Sequence, residues 1–186
     1  NLEVKPKPKA LFQMNDSVGC SPIPITFKNN SIVSTKYFWD FGNGDTSIAT
    51  APTYRFLNST AATVGYNVTL IASTAFGCSD TITDSVYVYH VPKSSFTSNA
   101  LPNCGPFDVT FTNTSKGGVS LLWVFGDGDT STQNNPTHKY QNKTLFIENY
   151  KAELVITSPN GCTDTSQQTS EGSCFRITFA HHKRIM

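Results

Sequence analysis

No apolar run in the sequence approaches the roughly 18 residues that a membrane-crossing helix needs, so nothing in this fragment reads as inserting into a bilayer. Charge is scarce: Asp, Glu, Lys and Arg make up 15% of the residues, and the formal net charge is only +1. Positive residues gather at the ends, in Lys5, Lys7 and Lys9 and in His181, His182, Lys183 and Arg184, without interleaved aromatics or a basic helix. That pattern gives no case for nucleic acid as a partner. Apolar spacing at helical period with capping signals is missing throughout. So are the G-x-S-x-G, H-E-x-x-H, phosphate-cradling and dinucleotide signatures, and neither His90 nor His138 stands beside an obvious nucleophile. The sequence is read as non-enzymatic. The opening NLEVKPKPKA also lacks the apolar core of a signal peptide.

What is present begins with the cysteines. Cys20, Cys78, Cys104 and Cys162 avoid the C-x-x-C spacing of metal sites, and Cys174 lies in the tail. The separations Cys20 to Cys78 and Cys104 to Cys162 are both 58 residues. Two equal loops predict one disulfide in each of two domains, and with them an oxidising compartment. Four cysteines allow three pairings, and free buried thiols are the alternative.

The equal loops belong to a longer repeat. Sliding the sequence by 84 residues aligns Phe12 with Phe96, Cys20 with Cys104, Phe27 with Phe111, Trp39 with Trp123 and GCSD (77–80) with GCTD (161–164). Between the tryptophans and the last anchors, APTY (51–54) is matched to PTHKY (136–140), a local shift of 86. So many landmarks in order mark a tandem duplication. Each copy reads as short strands: ITFKN and VTFTN alternate, and YNVTLIAS and YKAELVIT each put one apolar face together. DSVYVYH (84–90) supplies a last strand in copy one, whereas DTSQQTS (164–170) reads as its failed counterpart, with FRITF (175–179) as a displaced replacement. The predicted fold class is all-β, two tandem sandwiches.

WDFGNGDTS (39–47) and WVFGDGDTS (123–131) are the most distinctive stretches. Trp39 and Phe41, like Trp123 and Phe125, share a strand face and are expected in the core. Asn43-Gly44 and Asp127-Gly128 reverse the chain, and Gly42 and Gly126 are expected to hold a backbone conformation that other residues avoid.

These motifs, followed by P-x-x-Y, Y-x-V-x-L and G-C-x-D, resemble the polycystic kidney disease (PKD) domain, an immunoglobulin-like sandwich. The resemblance covers most of the chain. The paired cysteines with GC-[ST]-D look like PKD arrays of large secreted or surface proteins of Bacteroidota. It implies residues 8–90 and 95–170 as two PKD-like sandwiches, 91–94 as a linker, 171–186 as a tail, and 1–7 as the end of a preceding element in a longer protein. Copy two departs from the pattern at Val124, where copy one keeps Asp40.

Asp40, Asn43 and Asp45 in copy one, and Asp127 and Asp129 in copy two, are candidate calcium ligands. Calcium takes six to eight oxygens, so the preferred reading of these residues, and of Asp80 and Asp164, is turn-setting and amide-capping, with no cofactor required. Tyr87 and Tyr89 are candidates for an outward aromatic stripe that contacts a sugar or a neighbouring domain. The resemblance implies a spacer or adhesion module at the cell surface, in contact with neighbouring domains and with an extracellular protein or polysaccharide. The alternative is a carbohydrate-binding accessory to a secreted hydrolase.

Overall fold

A computed structural model describes residues 3–100, 106–141 and 148–170 of the chain. The chain divides into two units, Asn1–Val91 and Pro92–Met186. Among the described residues every regular element is a strand.

Unit 1 is built from β1 (Phe12–Met14), β2 (Val18–Cys20), β3 (Ile23–Asn29), β4 (Lys36–Asp40), β5 (Thr46–Ser47), β6 (Thr53–Phe56), β7 (Val64–Ser73) and β8 (Ser79–Tyr89). One sheet has the order β1-β3-β6 and the other β2-β8-β7-β4-β5. All pairings are antiparallel except β2 with β8. Alternation makes the sandwich: Ile25 and Phe27 of β3 are buried while Pro24, Thr26 and Lys28, which alternate with them, are exposed. They meet Trp39, Phe41, Val68, Leu70, Val86 and Val88 of the facing sheet in one core. Phe27 lies 5.3 Å from Trp39 between ring centroids, a contact that ties the two sheets together.

Unit 2 repeats the plan with β9 (Phe96–Ser98), β10 (Phe107–Asn113), β11 (Ser120–Val124), β12 (Thr130–Ser131), β13 (Thr137–Tyr140), β14 (Tyr150–Thr157) and β15 (Thr163–Ser170). Its sheets run β13-β10-β9 and β12-β11-β14-β15. Val109, Phe111, Trp123, Phe125, Tyr140, Ala152, Leu154 and Ile156 form its core.

The structure corrects three sequence expectations. The first is the local shift of 86. Thr53 and Phe56 bound β6 and Thr137 and Tyr140 bound β13, so the offset stays at 84. Backbone contacts agree, since Phe27 N bonds Pro52 O and Phe111 N bonds Pro136 O, both at 2.9 Å. His138 therefore takes the place of Tyr54, and Tyr140 that of Phe56. Matching tyrosine to tyrosine had overridden the backbone register.

The second correction concerns the last strand of unit 2. TDTSQQTS is β15 itself, paired with β14 at eight consecutive positions from Thr157↔Thr163 to Tyr150↔Ser170. It corresponds to the first part of β8, not to DSVYVYH. Its polar composition hid it, because ladder bonds come from the backbone and need no apolar side chain. FRITF lies outside the described residues.

The third correction is the Cys20–Cys78 bridge. Cys20 is disulfide-bonded but Cys78 keeps a free, half-buried thiol. Cys20 is in register with Tyr89 at the far end of β8, whereas Cys78 immediately precedes Ser79 at its start. Eleven strand positions at about 3.3 Å each separate them by roughly 36 Å, against the roughly 4.4–6.8 Å between Cα atoms that a disulfide spans. Cys162 is also disulfide-bonded; Cys104, its expected partner, and Cys174 lie outside the described residues.

The segment read as a linker is woven into unit 2 at its C-terminal end. Lys93 forms a bridge with Lys116, and Ser94 N donates to Asp164 Oδ2 at 2.7 Å. Unit 1 has the same clasp, a Lys9–Ile32 bridge and Ala10 N on Asp80 Oδ2 at 2.9 Å. The aspartate of each G-C-x-D turn thus holds the entering strand by its amide.

Candidate functional site

The acidic turns after β4 and β11 gather the groups with the most chemistry. Each is anchored by a buried tryptophan at 0% exposure. Trp39 Nε1 donates to Ala49 O at 2.9 Å and Trp123 Nε1 to Gln133 O at 3.0 Å, so neither indole is left unpaired in the core. Gly42 and Gly126 have φ of +76° and +86°, and a Cβ on either would lie 2.6 Å from a carbonyl oxygen of β7 or β14, Asn67 O or Lys151 O. Gly44 and Gly128 also have positive φ, but a Cβ there would meet open space.

In unit 1 the turn is closed on itself. Asp40 Oδ1 accepts Gly42 N at 2.8 Å, and Asn43 Oδ1 accepts Asp45 N at 3.1 Å. Tyr54, stacked on Phe41 at 4.1 Å, donates its hydroxyl to Asp45 Oδ2 and accepts Asn43 Nδ2 at 2.7 Å. Partial burial and the Asp45 carboxylate hold the Tyr54 phenol above its ordinary range. The calcium candidates Asp40, Asn43 and Asp45 each give an oxygen to these bonds, which leaves few for an ion that takes six to eight.

Unit 2 uses the same scaffold differently. His138, 9% exposed, stacks on Phe125 at 4.1 Å with an interplanar angle of 1°. Its Nε2 lies 2.7 Å from Asp127 Oδ2, while Asp127 Oδ1 accepts Asp129 N at 3.1 Å. Partial burial works to raise the Asp127 carboxyl, but the His138 and Asp129 hydrogen bonds outweigh it and the group sits below its ordinary range. The Asp129 carboxylate accepts no hydrogen bond from a described side chain, unlike Asp45. Ligand atoms of Asp127, Asp129 and His138 all lie within 4.8 Å of one another. Asp127 and Asp129, though not His138, border an open cleft of about 480 Å³ that Lys139, Glu148 and Tyr150 also line. Tyr150 donates to Glu148 Oε2 at 2.7 Å, and that carboxylate pushes the phenol up to about 12.

The sequence reading left His138 unassigned. The signal that would have found it is the constant offset of 84, which puts an imidazole where unit 1 has a phenol. Among the described hydrogen bonds none joins a histidine to a serine, threonine or cysteine. Of the proposed aromatic stripe, Tyr87 is 51% exposed and packs over Gly65, while Tyr89 is half-buried.

Residues 95–172 match the PKD domain family. The second unit is a PKD-family domain. The chain is 37% identical over 83 residues to the microbial collagenase of Vibrio alginolyticus, a match that covers 42% of the chain and 10% of the relative. It is 43% identical over 51 residues to the pre-pro-metalloprotease PrtV of Vibrio cholerae, covering 27% of the chain and 5% of the relative. Among solved structures, the PKD1 domain of the Vibrio cholerae metalloprotease PrtV matches with a TM-score of 0.37 and 30% identity, over 45% of the chain and 98% of that domain. The chain spans a tenth or less of the length of these curated relatives. The matched part is thus of a domain type that also occurs as a small part of much larger proteins named as a collagenase and a metalloprotease.

Proposed function

We propose that the chain is a spacer and contact module of a larger surface or secreted protein, with unit 1 as a second PKD-type copy in tandem with unit 2. The array would be of the kind carried by large surface proteins of Bacteroidota, on the strength of the shared GC-[ST]-D turns. One observation carries the reading: the distinctive residues are spent on building each unit. The tryptophan indoles bond carbonyls, Asp80 and Asp164 clasp the entering strands, and Asp40 and Asn43 close their turn. A repeated scaffold whose acids serve its own backbone suits extension and surface display, with contact made by faces and not by a catalytic pocket.

The partner is an extracellular protein or surface. Relatives named as collagenases make a fibrous protein a reasonable probe. The carbohydrate-binding alternative has less behind it, because Tyr87 stands exposed without an equally exposed Tyr89. A structural calcium at the acidic turns is a separate proposal, and a rise in melting temperature with CaCl2 would support it.

The test is retention of the 186-residue chain on insoluble collagen and on cellulose and chitin. The reading predicts retention on the protein fibre that survives Tyr87→Ala and Tyr89→Ala. Saturable retention on a polysaccharide that Tyr87→Ala abolishes would transfer the assignment to the carbohydrate-binding alternative.

A further inference from the structure

We infer that the turn of unit 2 is a binding site for a borderline divalent cation of the zinc class, with His138 Nε2 and the Asp127 and Asp129 carboxylates as ligands. Imidazole with carboxylates is a donor set that zinc, nickel and copper share, whereas calcium and magnesium take oxygens alone. The three ligand atoms lie within 4.8 Å of one another. Ligand atoms around a tetrahedral zinc lie roughly 3.3 Å apart, a distance that rotation of the exposed Asp129 side chain can close.

Two further features support the site. The imidazole is held before any ion arrives, flat against Phe125 at 4.1 Å and edge-on to Tyr140 at 4.6 Å. A ligand fixed in this way loses little freedom on binding. The cleft that Asp127 and Asp129 line gives water and ions access to the two carboxylates.

Unit 1 supplies the contrast. At the corresponding places it has Asn43 for Asp127 and Tyr54 for His138, and Tyr54 satisfies Asp45 directly. In unit 2 both positions carry metal-ligating types together, and the Asp129 carboxylate is left without a described protein donor. A purely structural turn would have needed neither change.

The test is calorimetric titration of the 186-residue chain with ZnCl2 and, separately, CaCl2. His138→Tyr installs the residue unit 1 uses at this place, and Asp129→Asn changes an exposed side chain, so both are expected to fold; circular dichroism checks this. Cys78 and the His181–His182 pair are residue types that also take zinc, so the readout is the difference from the parent. The expected result is one fewer zinc equivalent in His138→Tyr, zinc affinity at that site lowered at least about ten-fold in Asp129→Asn, and a zinc isotherm unchanged by equal CaCl2. Equal zinc binding by the parent and a folded Asp129→Asn, or displacement of the zinc by calcium, would overturn the assignment.

Discussion

Set side by side, the described parts of the two units share most of their strand pairings and differ in their acidic turns. Tyr54 and His138 occupy the same position and stack on their phenylalanines at the same 4.1 Å. The longer phenol reaches Asp45, whereas the imidazole stops at Asp127. One turn is closed, and in the other the exposed Asp129 carboxylate has no donor among the described side chains and lies beside a cleft. The strands behind them differ less in pairing than in packing. β8 contributes Val86 and Val88 to its core, while β15 is held across from β14 by a full ladder of polar residues. A duplicated scaffold can diverge in chemistry at two positions because tryptophan, glycine and backbone contacts fix the rest.

The comparison should break most visibly at what the units share. Trp39→Ala and Trp123→Ala are each expected to cost about 3–5 kcal/mol, since both remove a fully buried indole. Denaturant unfolding followed by circular dichroism checks it, and losses below about 1 kcal/mol in either would contradict a common core.

Next come Cys78 and Cys162, which occupy the same place in the repeat but differ in bonding. Cys162→Ser removes a disulfide and should cost about 2–5 kcal/mol. Cys78→Ser removes a free, half-buried thiol and should stay within about 1 kcal/mol. Similar large losses in thermal melts of both variants would show that Cys78 is bridged after all.

Glycine substitutions sharpen the comparison inside one turn. Gly128→Ala should pay the positive-φ cost alone, about 1–2 kcal/mol. Gly126→Ala adds a clash with Lys151 O at 2.6 Å, so its loss should be clearly larger. Equal melting temperatures for the two would mean the backbone shifts freely there.

The smallest effect is in pH. The Asp127 carboxyl lies below its ordinary value of 3.8 in the folded chain. Its contribution is therefore present above that value and lost as pH falls through the lower, folded one. In a Trp39→Phe variant, Trp123 fluorescence should report acid destabilisation of unit 2 in that window, reduced by Asp127→Asn. An acid profile unchanged by Asp127→Asn would show that the carboxyl contributes nothing.

These contrasts mark what could be read from the residues alone. The buried tryptophan–phenylalanine pairs and the turn glycines are local patterns with local causes, and the alternation of ITFKN and VTFTN fixes which side chains face the core. The cysteine pairing was not legible, because equal spacing in sequence is not proximity: β8 carries Cys78 and the partner position of Cys20 to opposite ends of one strand. The Asp80 and Asp164 clasps join residues about 70 positions apart, which no local pattern reveals. His138 was obscured by a tyrosine two residues on, a reminder that side-chain identity is a weaker guide to register than the backbone ladder.

The most direct measurement converts one turn into the other. The double variant Asn43→Asp with Tyr54→His gives unit 1 the three ligand types of unit 2 while keeping Asp40, which bonds the Gly42 amide. If two positions on a shared scaffold carry the difference, calorimetry will count one zinc equivalent more in the folded double variant than in the parent. The same zinc count in both, with the fold retained, would contradict the account.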